Sequence, residues 1–275
     1  MKKIIALLLS CMMLIGLLAG CGGSGNTVTT SSPAADSDPA APSLNSAVAG
    51  KLVMATNATF PPYEYYEGGE ITGIDVEIAQ AIADKLGLEL QIDDMEFDSI
   101  NEAVKGGKAD IGLAGMTVSP ERMEEVDFTV SYTTAVQVVI VTEDSAITSV
   151  DDLFAEGANH AVGVQRNTTG DIYASSDIED EGLGTVERYS KHADAIQALK
   201  TGKVDCVIVD NEPAKAFVAS VEGLKILDSE YALEDYAISM SKNNPELYAA
   251  VNEALQALIA DGTVQKIVDK YIPAE

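Results

Sequence analysis

The stretch Ala103-Val-Lys-Gly-Gly-Lys-Ala-Asp110 returns 95 residues later as Ala198-Leu-Lys-Thr-Gly-Lys-Val-Asp205, with Ala, Lys, Gly, Lys and Asp in register. Such a repeat restricts the chain to folds assembled from two related units. The flanking context repeats as well. Residues 99–104 and 194–199 each space apolar side chains for one face of a short helix: Ile100, Ala103 and Val104, then Ala195, Ile196 and Leu199. Gly107 and Gly202 are helix stops, each leading into a short apolar strand over 111–114 and 206–209. Carrying the register forward makes Gly115 and Asp210 equivalent, one at the end of each strand.

Around these units the pattern alternates strand and helix. Residues 52–56 read as a strand, 73–86 as a helix with Ile74, Ile78, Ala81, Ile82 and Leu86 on one face, and 88–92 as the next strand. In the second unit, 161–164 is a strand, 169–174 begins a helix and 186–189 is a strand. Alternation of this kind predicts α/β lobes with largely parallel sheets, and open sheets of that class hold ligands at the carboxyl ends of their strands. Asn57, Gly115, Gln165 and Asp210 occupy those ends. The β-branched run 135–142 suits a strand connecting the units, and 235–240 is a second such segment. Two crossings imply two lobes with a cleft between them. After the second, Asn244-Pro245 opens an amphipathic helix ending at Asp261-Gly262, and a last helical stretch carries Val264, Ile267, Val268 and Tyr271.

The body begins near Lys51. Ahead of it, Lys2 and Lys3 precede an apolar run from Ile4 to Leu18, and Leu18-Ala-Gly-Cys21 follows. The run is shorter than the ~20 residues a membrane-spanning helix needs, so it reads as a secretory signal ending in a lipidation site at Cys21. Residues 22–49 are mostly Gly, Ser, Thr, Ala, Pro, Asn and Asp, the composition of a disordered tether. The expected division is a signal over 1–20, a tether over 21–49, the first part of lobe one over 50–140, lobe two over 141–232, and a return to lobe one with the C-terminal helices over 233–275. The protein is expected outside the cytoplasm, anchored to the cell membrane by lipid on Cys21.

Composition narrows the partners. The formal net charge of −27 becomes −29 when Lys2 and Lys3 leave with the signal, which argues against nucleic acid or an anionic surface. Of three cysteines, Cys11 lies in the signal, Cys21 is the lipidation site, and Cys206 sits in an apolar strand, so no disulfide framework forms within the monomer. With only His160 and His192 as histidines, no Cys/His metal cluster is expected, and no cofactor.

Six segments, in order, resemble one family: Ala-Thr-Asn-Ala-Thr-Phe-Pro-Pro-Tyr-Glu-Tyr (55–65), Gly-Ile-Asp-Val-Glu-Ile-Ala (73–79), Ala-Gly-Met-Thr-Val-Ser-Pro-Glu-Arg (114–122), Val-Asp-Phe-Thr (126–129), Val-Gly-Val-Gln (162–165) with Thr-Thr-Gly-Asp (168–171), and Val-Ile-Val-Asp (207–210). The chain from Lys51 onward is similar to the polar amino-acid-binding branch of the extracellular solute-binding proteins of ABC importers, family 3, in their lipoprotein form. The resemblance implies an α/β, two-lobed, periplasmic-binding-protein-like (type II) clamshell with two crossover segments. It also implies a monomer that is not an enzyme, with a free amino acid as ligand and an ABC permease and its ATPase subunit as partners.

The resemblance assigns roles that the chemistry favours. Arginine is scarce, and Arg122 stands beside a Gly/Thr/Ser turn at a helix start, where a planar fork can hold a carboxylate by two hydrogen bonds; pairing with Glu121 or Glu125 at the surface is the other reading. Thr117 and Thr169 are the implied groups around the same anion, and Thr168 is a further implied ligand-binding residue. Asp210 matches the aspartate that pairs with the ligand α-ammonium, completed by the Gly115 carbonyl and the Thr117 hydroxyl. It could also cap the helix starting before Pro213. Phe60 and Phe97 match positions that stack on the ligand side chain, and Gln165 is a further polar lining position. Asn57 stands where many members carry Asp, which removes a formal charge from the specificity pocket and leaves neutral and basic side chains both open. Arg166 and His160 are expected at the surface. Two other functions share this framework: a tethered sensor for a signalling partner, and a cyclohexadienyl-dehydratase-like enzyme, which would need a general acid aimed at a leaving hydroxyl.

Overall fold

Two mixed sheets carry the architecture. The computed structural model describes residues 44–273, so the signal, Cys21 and most of the tether lie outside the described residues. In the first sheet, Lys51–Thr56 pairs in parallel with Glu89–Asp94 on one side and Ile111–Gly112 on the other. Ser239–Met240 then runs antiparallel between Ile111–Gly112 and Asp127–Phe128. In the second sheet, His160–Gln165 lies in parallel between Gly184–Tyr189 and Cys206–Asp210. Thr133–Thr142 pairs antiparallel to Cys206–Asp210, and Leu224–Ile226 and Ala232–Tyr236 add to it. A small hairpin sheet of Thr59–Phe60, Glu64–Glu67 and Glu70–Thr72 follows the first strand.

The repeat is visible atom by atom. The helices Ile100–Lys105 and His192–Lys200 end in matching turns: Lys108 N–H reaches back to the Ala103 carbonyl and Lys203 N–H to the Ala198 carbonyl, each at 2.9 Å, with Gly107 and Gly202 both at φ 68°. That left-handed conformation is why glycine recurs there. Next, Asp110 accepts from Val53 N–H at 2.8 Å and Asp205 from Ala161 N–H at 2.8 Å, so each repeated aspartate clasps the parallel neighbour of the strand it precedes. Asp110 also accepts from Ala47 N–H at 2.7 Å, a contact without a counterpart at Asp205.

Alternation along the strands covers both faces of the second sheet. Val139, Val141, Val162, Val164, Cys206 and Ile208 pack on Ile147, Leu153 and Ile178, while Val138, Ile140, Val207 and Val209 pack with Ala195, Ile196 and Leu199. Burying each such side chain contributes about 1.5–3 kcal/mol. The run 135–142, expected as a connection between lobes, is therefore an interior strand. A segment apolar on both faces has more to gain inside a sheet than spanning a gap. The chain changes sheets over much shorter stretches, between Phe128 and Thr133 and between Tyr236 and Ser239. These two crossings run side by side, with Thr129 N–H on the Ile238 carbonyl at 3.1 Å and Tyr132 N–H on the Tyr236 carbonyl at 3.0 Å. Both change-overs thus lie outside the boundaries at 140 and 233 read from the sequence, and Ala232–Tyr236 belongs to the second sheet.

Helices close the remaining faces. Ile74–Leu86 buries Ile74, Ile78 and Ile82 against the first sheet and the helix Pro245–Ala260, whose start is capped by Asn244. Among the described residues no helix is long and apolar enough to cross a membrane.

Candidate functional site

The strand ends at which ligands were expected meet around one cavity of about 20 Å³. Asn57, Phe60, Phe97, Gly115 and Thr117 line it from the first lobe, and Gln165, Thr168, Thr169 and Asp210 from the second. Side chains of the two lobes touch across it. Gln165 Nε2 donates to Asn57 Oδ1 at 3.1 Å, and Thr169 Oγ1 donates to Thr117 Oγ1 at 2.9 Å.

Each position is fixed by its local structure. Asn57 follows the first strand with its Nδ2 on the Met95 carbonyl at 2.7 Å, and Oδ1 also accepts from Thr59. Its amide is thus committed to protein partners. Gly115 takes φ 53°, and a Cβ there would stand 2.8 Å from the Phe60 ring and 3.2 Å from Tyr236. Only glycine allows the backbone to come this close to both rings. Its N–H donates to Asp75 at 2.8 Å. Thr117 donates its hydroxyl to Glu234 at 2.8 Å. Thr168 caps the helix Thr169–Ala174 and donates its own hydroxyl to the Gln165 carbonyl at 2.8 Å.

Arg122 is the one site residue expected from the sequence that does not line the cavity. It is 8% exposed, pairs with neither Glu121 nor Glu125, and lies against the Phe97 ring with Cζ 5.5 Å from the centroid. Nη1 donates to the Thr117 carbonyl and Nη2 to the Asn167 carbonyl, each at 2.8 Å. The guanidinium therefore stands behind the cavity rim and ties the first lobe to the second. Its remaining N–H groups have no partner among the described residues.

Asp210 occupies the N-cap position of the helix Asn211–Ser220 without capping it by its side chain. The carboxylate instead accepts from the Tyr236 hydroxyl. Burial pushes its pKa up to about 6, against the pull of the Tyr236 and Gln137 hydrogen bonds and the Arg122 charge. Arg166 and His160 are at the surface and half-buried respectively, near Asp98 at 3.5 Å and Asp205 at 3.7 Å.

Four polar residues of the site were not anticipated. Glu64 and His192 line the cavity, at 1% and 2% exposure, and Glu234 and Tyr236 stand behind Thr117 and Asp210. Burial, then the neighbouring Asp75, pushes the Glu64 carboxyl well above the usual carboxylate range, and its Oε2 has no hydrogen-bond partner. Burial lifts Asp75 to about 7, and burial with the Asp210 charge lifts Glu234 to about 7. No sequence signal marked Glu234, since it is charged and buried while its apolar neighbour Leu233 is exposed. Four carboxyl groups thus converge where Arg122 is the buried cation. The surroundings favour a ligand that brings positive charge. Among the described residues no group of three or more His, Cys, Asp or Glu is placed to hold a metal ion.

The model of one family matches residues 52–274. Over 228 residues the chain is 33% identical to the arginine-binding extracellular protein ArtP of Bacillus subtilis (strain 168), covering 82% of this chain and 87% of that protein. It is 30% identical over 238 residues to ABC transporter arginine-binding protein 1 of Escherichia coli (strain K12), covering 84% and 94%. An ancestral arginine-binding protein bound to glutamine shares its structure with a TM-score of 0.75 at 35% identity, over 82% of this chain and all 100% of that one. The arginine-, lysine-, histidine-binding protein ArtJ from Geobacillus stearothermophilus does so with a TM-score of 0.74 at 30% identity, over 82% and 96%. The two sheets joined by paired crossings are thus the periplasmic-binding-protein fold. From its second strand residue to its last helix, the chain belongs to the bacterial extracellular solute-binding proteins, family 3.

Proposed function

We propose that this protein is the receptor subunit of an ABC importer. It binds a free L-α-amino acid with a basic side chain between its lobes, is held at the outer face of the cell membrane by lipid on Cys21, and passes the ligand to a permease. The observation that carries the reading is the meeting of Asp210, from the second sheet, with Gly115 and Thr117 of the first lobe at a single cavity, with Arg122 on the Thr117 carbonyl behind its rim. Asp210 serves the α-ammonium, with the Thr117 hydroxyl beside it. The free N–H groups of Arg122 and the backbone at the Thr168–Thr169 helix start serve the carboxylate.

The basic side chain follows from the carboxyl groups. Glu64 is buried in the cavity wall with an unpartnered oxygen and acidic neighbours, so a cationic side chain relieves both deficits. Some relatives' names support it, since ArtP and an Escherichia coli relative are named arginine-binding proteins, whereas others are named for cystine or glutamine. Curated relatives are named as binding proteins, which supports a carrier over a dehydratase. Delivery follows from closure, because a ligand gripped by both lobes stabilises the closed form by its differential affinity for it.

A thermal-shift screen of the twenty amino acids on the full-length protein in mild detergent tests this. A basic amino acid at 100 times its dissociation constant should stabilise by about 2.7 kcal/mol. Decarboxylated and amino-blocked analogues should not. Equal shifts from arginine and from its decarboxylated amine would sink the clamp.

A further inference from the structure

His192 is the first residue of the helix His192–Lys200 and stands in the cavity wall, only 2% exposed. Among the described residues neither nitrogen of its ring has a hydrogen-bond partner, and Nδ1 is fully buried. Buried polar side chains are almost always paired, and an unpaired one costs stability. Packing does not account for the residue type. The ring stacks on Phe60 at 5.6 Å between centroids and tilts against Phe217 at 6.4 Å, contacts that a phenylalanine would make as well. The two nitrogens are chemistry in excess of what the core requires.

Resting on the amino-acid reading above, we propose that His192 is a specificity residue: one ring nitrogen accepts a hydrogen bond from an N–H group at the far end of the bound side chain, so the cleft selects amino acids ending in a nitrogen donor, guanidinium foremost. Its placement supports the role. Asn57, Phe60, Glu64 and Phe97 come from the first lobe and His192 from the second, so the side-chain end is gripped from both sides as the backbone end is. The free Oε2 of Glu64 and the imidazole are two acceptors on different elements. A planar guanidinium presents N–H groups in several fixed directions and can meet both while its face lies along the aromatic wall. An aliphatic side chain leaves both unpaired. Burial holds the imidazole neutral, with its pKa down to about 3, so it accepts without repelling a cation.

The test uses the full-length protein in mild detergent, calorimetry, and two probes: L-arginine, and L-norleucine, a shorter unbranched side chain that lacks N–H. The parent should bind arginine at least about tenfold more tightly than norleucine. His192→Phe keeps the stacking and should weaken arginine by about 10- to 100-fold while leaving norleucine within about threefold. His192→Gln, which restores an acceptor, should recover part of the loss. Arginine binding to His192→Phe within about threefold of the parent overturns the proposal, and so does an equal loss for both probes, which would mark a packing role. A parent that binds amino acids without preferring arginine over norleucine also overturns it while sparing the amino-acid receptor. A parent that binds no amino acid overturns both.

Discussion

Tyr236 donates its phenolic hydrogen to the carboxylate of Asp210, linking the strand that returns towards the first lobe to the cavity wall of the second. The hydrogen bond favours the ionised form and holds down a pKa that burial raises to about 6. Tyr236→Phe should therefore raise it further. At pH 7 less of Asp210 is then charged, so amino-acid affinity should fall by about tenfold, with the acid limb of binding displaced to higher pH. Asp210→Ala should cost about two to three orders of magnitude, the penalty for unpairing a buried charge. Calorimetry between pH 5.5 and 8.5 checks both, and an unmoved acid limb in Tyr236→Phe would count against this coupling.

Stability should respond to pH in the opposite sense to binding. Asp75, Asp210 and Glu234 have folded pKa values of about 7, 6 and 7, above the ordinary carboxylate range, because burial disfavours their charge. A raised acid pKa contributes stability that is fully present below the unfolded value, roughly 4, and is lost as pH rises through the folded value. The ligand-free protein should thus melt at a lower temperature at pH 8 than at pH 5. Asp210→Asn should flatten that slope. The extra stabilisation from a saturating ligand should grow over the same interval as Asp210 ionises. Thermal scans with and without ligand separate the two effects.

Arg122 joins the Thr117 and Asn167 carbonyls across the lobes. Arg122→Ala should weaken binding by at least about 100-fold. Arg122→Lys should rescue little, because one ammonium lacks the planar fork that spans two carbonyls and a carboxylate. Circular dichroism should report a retained fold in both variants. A dissociation constant for Arg122→Ala within threefold of the parent would remove the carboxylate role.

The repeated aspartates should differ in worth. Asp110 is 6% exposed and holds the N–H groups of Val53 and Ala47, whereas the Asp205 side chain is 53% exposed and holds that of Ala161. Asp110→Ala should cost about 1–3 kcal/mol and Asp205→Ala about 0.5–1.5 kcal/mol. Equilibrium urea denaturation can rank them, and equal costs would mean that the second contact of Asp110 adds nothing.

Cys21→Ser should abolish lipid labelling and release the protein from the membrane fraction, or arrest its maturation. Unchanged labelling would place the anchor elsewhere.

Much of this site could be read before any coordinates because its residues sit where a strand or turn stops for a visible reason. The Gly107 and Gly202 turns declare the two lobes, and the strand ends that follow them bring Gly115 and Asp210 to the cavity. What stayed hidden depends on tertiary placement. Glu64 sits in an acidic hairpin that looks solvent-facing, yet the hairpin lays its first residue against the core. His192 follows a lysine at a helix start, a position that says nothing of the Phe60 ring stacked on it. Arg122 was expected at the ligand, and its guanidinium turns to backbone carbonyls that no local pattern could locate. The run 135–142 failed as a connection because β-branched sequence signals a strand without saying which sheet receives it.

The second oxygen of Asp110 has a mechanical consequence. It pins Ala47 to the base of the first strand, while Asn244 grips the Asn45 carbonyl at 2.6 Å. The six residues Lys51–Thr56 then run from this pin towards Asn57, a distance of roughly 20 Å at about 3.3 Å per residue. Tension arriving through the chain ahead of Asn45 is delivered to the back of the first lobe and bypasses both crossings. Under the lipid anchoring proposed above, a pull there would load the end of the first strand away from Asn57 and the cavity, so opening and closing are left to the ligand.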